Sequence, residues 1–131
     1  MKKIITICLI ALFSILSLSV SGLTADFTFV QVIDGDTFEV MSENGKRMEI
    51  DLAGIDAPEM PLTQSKKGQP FCQKAKQMLS EMIRNKPFSY KSYGKSDENR
   101  VIAVIHSEGK NVNLEMIQVG LAEVYRQDSQ S

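Results

Sequence analysis

The chain has 131 residues, 43% of them hydrophobic and 24% charged, with 8 Gly and 4 Pro. That composition suits one globular domain, is too short for two, and excludes a disordered tail, a collagen-like repeat and a coiled coil. The formal charge is −1, from 15 Lys and Arg against 16 Asp and Glu.

In chain order, Lys2 and Lys3 precede a nearly charge-free apolar run from Ile4 to Val20, and Leu23 and Ala25 stand at the −3 and −1 positions of a cleavage site. This is the order of a secretory signal peptide over residues 1–25, which implies a secreted or periplasmic protein. The alternative is an uncleaved membrane anchor through residues 4–20, because the run approaches the ~20 residues a span needs. Ser14, Ser17, Ser19 and Ser21 weaken it as a span. Cys8 lies inside the run, so after cleavage Cys72 is the one remaining cysteine and no internal disulfide can form. Residues 26–131 are then a single domain held by its core.

That domain begins with strands. Phe27 to Ile33 is rich in β-branched and aromatic residues, and Phe38 to Met41 follows the tight Asp34-Gly35-Asp36. Asn44-Gly45 is a strong hairpin signal. In the returning strand Met48, Ile50 and Leu52 share one face, and Arg47, Glu49, Asp51 and Ala53 share the other. Gly68 to Pro70 opens a helix whose apolar stripe is Ala75, Met78, Leu79, Met82 and Ile83, ended by Pro87. Phe88 to Tyr93 and Val101 to His106 are two further strands. Asn113 is the expected N-cap of a short helix stopping at Gly120, and Leu121 to Tyr125 is a last short strand. Short antiparallel strands with one interrupting helix suggest a small closed β-barrel, with a sandwich as the alternative.

Charge is unevenly spread. Residues 26–59 carry nine acids against two bases, and residues 60–131 carry eleven bases against seven acids. Such a split suits a site that binds a cation and then an anion. If the second and third strands pair through Asn44-Gly45, the ends of that hairpin bring Asp36 close to Asp56. Two carboxylates converging on one point repel unless a cation sits between them, and oxygen-only donors favour Ca²⁺ or Mg²⁺ over zinc. Asx-turns and Pro-turns explain the same residues locally.

Val32-Ile33-Asp34-Gly35-Asp36-Thr37-Phe38 and Leu52-Ala53-Gly54-Ile55-Asp56-Ala57-Pro58-Glu59 resemble the two signature segments of the staphylococcal nuclease (thermonuclease) family. Weaker segments follow in order: Gly68-Gln69-Pro70-Phe71, Arg100 to Val104, and Asn111 to Ala122. The resemblance spans about residues 27–126. It implies a mainly β, α+β fold: a five-stranded OB-fold Greek-key barrel with two or so helices. It further implies Ca²⁺-dependent hydrolysis of DNA and RNA phosphodiesters by a monomer with no obligate protein partner and single-stranded nucleic acid as substrate. Carried over by position, Asp36 and Asp56 would ligate the metal, and Ala57 would offer its backbone carbonyl. Glu59 would align or deprotonate the attacking water, and Arg100 would contact the scissile phosphate.

This chain departs from the family pattern at Asp51, where the family carries a second phosphate-clamping arginine. Losing one such donor costs roughly 10²–10³ in rate in other enzymes. Arg47 lies on the same strand face but ~13 Å along it, too far to substitute. Asp51 then either points to solvent or adds a ligand to the metal. Ser96-Asp97-Glu98-Asn99 replaces an acidic–basic–aromatic–glycine run that helps hold substrate, and the chain ends at Ser131, short of the family's C-terminal helix. A non-catalytic OB-fold module that keeps metal or nucleic-acid binding is therefore the competing function. His106, the one histidine, and Cys72 are expected to be structural. Lys66, Lys67, Lys74 and Lys76 are expected on a solvated helix face, and Phe71 and Tyr93 are expected to pack in the core rather than stack bases.

Overall fold

The computed structural model describes residues 27–63 and 67–125. The signal or anchor segment, its cleavage site and Lys66 lie outside the described residues. Among the described residues no helix is long and apolar enough to cross a membrane.

The elements of the described residues follow one another as β1 (Phe27–Val32), β2 (Thr37–Ser42), β3 (Arg47–Leu52), β4 (Ile55–Asp56), α1 (Cys72–Ile83), β5 (Phe88–Asp97), β6 (Arg100–Ser107), β7 (Lys110–Asn111), α2 (Val112–Gln118) and β8 (Glu123–Val124). The main sheet runs β1-β2-β3-β6-β5, with β7 added to β6, and β4 pairs with β8 in a small second sheet. These pairings are antiparallel except β3 with β6. Mostly strands with two helices in this order is an α+β OB-type fold, as the sequence implied. The sheet is not hydrogen-bonded into a closed barrel. Its edge strands β1 and β5 meet instead through side chains, with the Phe27 and Tyr90 rings 5.5 Å apart.

Alternation along β2 and β3 places Phe38, Val40, Ile50 and Leu52 in the core, joined by Val101, Ala103 and Ile105 from β6. Helix α1 closes the bottom of the curled sheet with Ala75, Leu79 and Ile83, each fully buried. Burying a side chain the size of Leu79 or Ile83 contributes roughly 1.5–3 kcal/mol. The helix begins at Cys72, later than Gly68–Pro70, and Cys72 is buried as a small packing residue. Pro70 and the left-handed Phe71 (φ 66°) delay the first turn.

Two details correct the sequence reading. The N-cap of α2 is Asn111, whose Oδ1 accepts from the Leu114 N–H at 3.0 Å, not Asn113. Asn113 is buried inside the first turn. Its Oδ1 accepts from Ile105 N–H at 3.0 Å, and its Nδ2 donates to the Ala53 and Ala103 carbonyls at 3.0 and 3.1 Å. It thereby bolts α2 to β6 and to the end of β3. Strand β5 also runs on to Asp97, with a bulge at Tyr93 that turns the ring to the outer face, so Tyr93 is 62% exposed, while Phe71 is 70% exposed. Core packing is wrong for both.

Candidate active site

The site is assembled by the β2–β3 register. Thr37 stands opposite Asp51, and the Asp36 carbonyl accepts from Leu52 N–H at 2.8 Å. The β1–β2 turn is pressed against the molecule because residue 35 is glycine. A Cβ there would lie 2.6 Å from the Ala75 Cβ and 2.7 Å from the Ala57 Cβ. That close approach lets Asp36 Oδ2 accept from Ala57 N–H at 2.7 Å, which brings the two ends of the hairpin side by side as the sequence implied.

One hydroxyl couples two carboxylates. Thr37 Oγ1 lies 3.1 Å from Asp36 Oδ1 and 3.1 Å from Asp51 Oδ1. Asp34 Oδ1 caps the same turn by accepting from Asp36 N–H at 3.1 Å. Burial, followed by the adjacent Asp34 carboxyl, pushes Asp36 up to about 7, against the lowering effect of the Ala57 and Thr37 hydrogen bonds. Burial and the neighbouring carboxyl thus disfavour a lone negative charge on Asp36.

Asp51 is turned toward Arg100 rather than out into solvent. It is half-buried, and its Oδ2 lies 3.2 Å from Arg100 Nε, while Glu49 Oε2 lies 3.0 Å from Arg100 Nη2. The parallel β3–β6 pairing creates this contact by setting Glu49 opposite Arg100. Burial raises the Asp51 pKa, and Arg100 and the Thr37 hydroxyl pull against that. The Arg100 Nε atom is buried and has no aligned hydrogen-bond acceptor. Arg47, the other nearby cation, is occupied by Glu39 at 3.1 Å. A cavity of about 510 Å³ lies between these two arginines, along Glu49 and the Asp97–Asn99 turn.

The second half of the site is fixed by backbone. Strand β4 pairs with β8, setting Asp56 opposite Glu123, and Tyr125 N–H donates to the Gly54 carbonyl at 3.0 Å. Strand β8 reaches β4 because α2 ends in a Schellman turn at Gly120 (φ 71°): Leu121 N–H donates to Met116 O at 3.0 Å and Gly120 N–H to Ile117 O at 2.9 Å. Glu59 is clasped by Gln69. Its N–H donates to Gln69 Oε1 at 2.8 Å, and its carbonyl accepts from Gln69 N–H at 3.0 Å. The Asp56 and Glu59 side chains are exposed.

The structure thus joins Asp36, Ala57, Asp51 and Arg100 in one network. It leaves Asp56 and Glu59 beside that network with exposed side chains. Among the described residues no three His, Cys, Asp or Glu side chains converge to hold a metal. Donor chemistry nevertheless fits a hard cation: Asp36, Asp56 and the Ala57 carbonyl offer only oxygen, and like-charged Asp56 and Glu123 face each other across a ladder. Any such ion would have to fill out its shell with backbone carbonyl and water. Sequence reasoning missed Thr37, Glu49, Gln69 and Glu123. Thr37 was legible from the hairpin register. Glu49 depends on a pairing between segments fifty residues apart, which no local signal reports.

The family model described as staphylococcal nuclease homologue matches residues 49–131. An "uncharacterized endonuclease" of Haemophilus influenzae is 34% identical over 128 residues, 98% of this chain and 67% of that protein. An "uncharacterized endonuclease" of Escherichia coli is 32% identical over 99 residues, 75% of this chain and 60% of that protein. A probable endonuclease of Verticillium alfalfae is 36% identical over 89 residues, 65% of this chain and 31% of that protein. The chain therefore spans less than two thirds of the latter two.

Proposed function

The chain belongs to the staphylococcal nuclease family, and on that footing we propose that it is a nuclease hydrolysing phosphodiester bonds of DNA and RNA with Ca²⁺ bound. The observation that carries the reading is the Asp36–Thr37–Asp51–Arg100 chain of contacts, which ties the arginine, through Asp51 and Thr37, to the Asp36 carboxyl. Relatives named endonucleases support it.

Asp36 and Asp56 would hold the ion with the Ala57 carbonyl. When bound, Ca²⁺ supplies polarisation of a phosphoryl oxygen. The Arg100 guanidinium binds the phosphate by exchanging its Glu49 and Asp51 partners for phosphate oxygens, which neutralises charge growing there. Glu59, held by Gln69 and open to solvent, aligns or deprotonates the attacking water. The substrate is single-stranded DNA or RNA, and the protein acts as a monomer. The leader over residues 1–25 exports it to the periplasm or beyond, or anchors it through residues 4–20.

A second reading, a binding module without hydrolysis, has one observation in its favour: two carboxylates already neutralise Arg100. Digestion of single-stranded DNA by the purified protein, with Ca²⁺ and with a chelator, separates the two. Cleavage that disappears with chelator is the expected result. Binding without cleavage under either condition selects the module.

A further inference from the structure

The outer face of β5 carries a feature that the hydrolytic residues do not use. Residues paired across a ladder share a face, so Lys91 opposite Val104, Gly94 opposite Ile102 and Asp97 opposite Arg100 lie on one side of the sheet. The register shifts between Ser92 and Gly94, where Tyr93 is the extra residue of a bulge. Bulges re-aim a side chain, and here the extra ring joins the Lys91 side. The Lys91 Nζ stands 5.3 Å from the Tyr93 ring centroid. Tyr93 is 62% exposed, and a Cβ built at Gly94 would find nothing within 4 Å, so there is open space beside the ring.

Tyr90, three residues earlier, shows the contrast. It is half-buried, its ring packed on Phe27 across the sheet seam. Among the described residues the Tyr93 ring meets no second ring. A flat exposed ring with an ammonium on one side leaves its other side for a planar group. The ammonium favours a planar group that carries negative charge. A nucleotide combines both properties, and base–aromatic stacking tolerates any base. Tyr93 sits one strand over from Arg100 and two to three residues back, roughly 8–10 Å by strand geometry. That is a short step along an extended polynucleotide.

We propose that Tyr93 and Lys91 form a base-stacking subsite for single-stranded nucleic acid, which holds one base while a neighbouring phosphate reaches Arg100. The inference rests on the nucleic-acid reading above. It also accounts for an exposed tyrosine that packing does not explain.

The test uses a short oligo-dT and an abasic oligomer of the same length, with binding measured by anisotropy in chelator so that nothing is cut. Tyr93→Ala should weaken oligo-dT binding by roughly five- to 150-fold, the range for one stacked base, and leave the abasic oligomer unchanged. Tyr93→Phe keeps the ring and should retain the preference. The chain has no tryptophan, so Tyr93→Trp supplies a single reporter whose emission oligo-dT should quench and the abasic oligomer should not. The proposal is overturned if Tyr93→Ala binds both oligomers like the wild type, or if saturating oligo-dT leaves the indole emission of the Tyr93→Trp variant unchanged. Failure of the hydrolytic reading looks different: intact discrimination between oligomers with no cleavage in Ca²⁺. Cleavage that is indifferent to Tyr93, with no discrimination, removes the subsite and leaves the nuclease.

Discussion

The two halves of the site are built on opposite plans. Asp36, Thr37, Asp51, Glu49 and Arg100 are tied side chain to side chain, and each has a partner within about 3 Å. Asp56 and Glu59 are placed only through their backbones, by β8 and by Gln69, and their carboxylates face solvent. Interlocking fixes geometry but occupies the groups that interlock. Backbone placement leaves the side chain unspent. On the proposed function, the first half would position a phosphate and a cation, and the second would supply the groups that act on them.

The comparison breaks most visibly if one residue is removed from each half. Glu59→Gln should lower cleavage of single-stranded DNA by roughly 10²–10⁴, the range for a lost general base. Arg100→Ala should lower it by roughly 10²–10³, the range for a lost charge-stabilising donor. Circular dichroism should show Glu59→Gln folded like the parent, since the side chain is exposed. Cleavage surviving both changes, in protein free of contaminating nuclease, would refute the assignment of roles.

Next in size is a change that strikes the frame under both halves. Asn113→Ala leaves the Ile105 N–H and the Ala53 and Ala103 carbonyls without their side-chain partner. Orphaned buried groups cost about 1–3 kcal/mol each, and the Ala103 carbonyl can relax, so the expected loss is roughly 3 kcal/mol. In a domain of this size that lowers Tm by more than about 10 °C. A thermal melt shifted by only a degree or two would show that water replaces the amide.

Which parts of this were legible beforehand follows from what is local. Asn44-Gly45 sets the hairpin register, and with it the approach of Asp36 to the Asp56–Ala57 segment. The apolar stripe from Ala75 to Ile83 identifies α1. The parallel β3–β6 pairing is not local, so the sequence leaves Asp51 unpartnered although it faces Arg100. Asn111 and Asn113 are equally good caps by chemistry, and burial against β6 chooses between them. The sequence puts Tyr93 in the core because no local signal marks the bulge between Ser92 and Gly94 that turns its ring to the outer face of β5.

A smaller effect sharpens the claim that the second half is placed by backbone alone. Gln69→Ala removes the acceptor for Glu59 N–H while sparing the main-chain bond from residue 69. If that clasp aims the Glu59 carboxylate, kcat should fall roughly ten- to 100-fold, as when outer-shell partners are lost elsewhere. KM should hardly move, because on the proposed roles Arg100, not the amide, would hold the substrate phosphate. Gln69→Glu keeps an acceptor and should restore most of the rate. A loss confined to KM would reassign Gln69 to substrate contact.

The smallest effect concerns Asp51, the carboxylate that lies against Arg100 Nε. Asp51→Asn keeps the Oδ1 acceptor for Thr37 and removes the charge facing Arg100. The ion pair is partly exposed on both sides, and such pairs contribute about 0.2–1 kcal/mol. Releasing Arg100 from one of its two carboxylates should therefore tighten binding of single-stranded DNA in chelator by no more than about two- to fivefold. Glu49→Gln should give a similar gain, because it removes the other competitor. The opposite result carries as much information. If Asp51→Asn weakens binding or slows cleavage while Glu49→Gln does not, Asp51 is the residue that aims the guanidinium through its Nε. In that case Asp51→Arg would place two guanidinium groups together, leave Thr37 with Asp36 as its remaining side-chain acceptor, and lower activity. Only a gain on neutralising Asp51 would make the arginine replacement worth attempting.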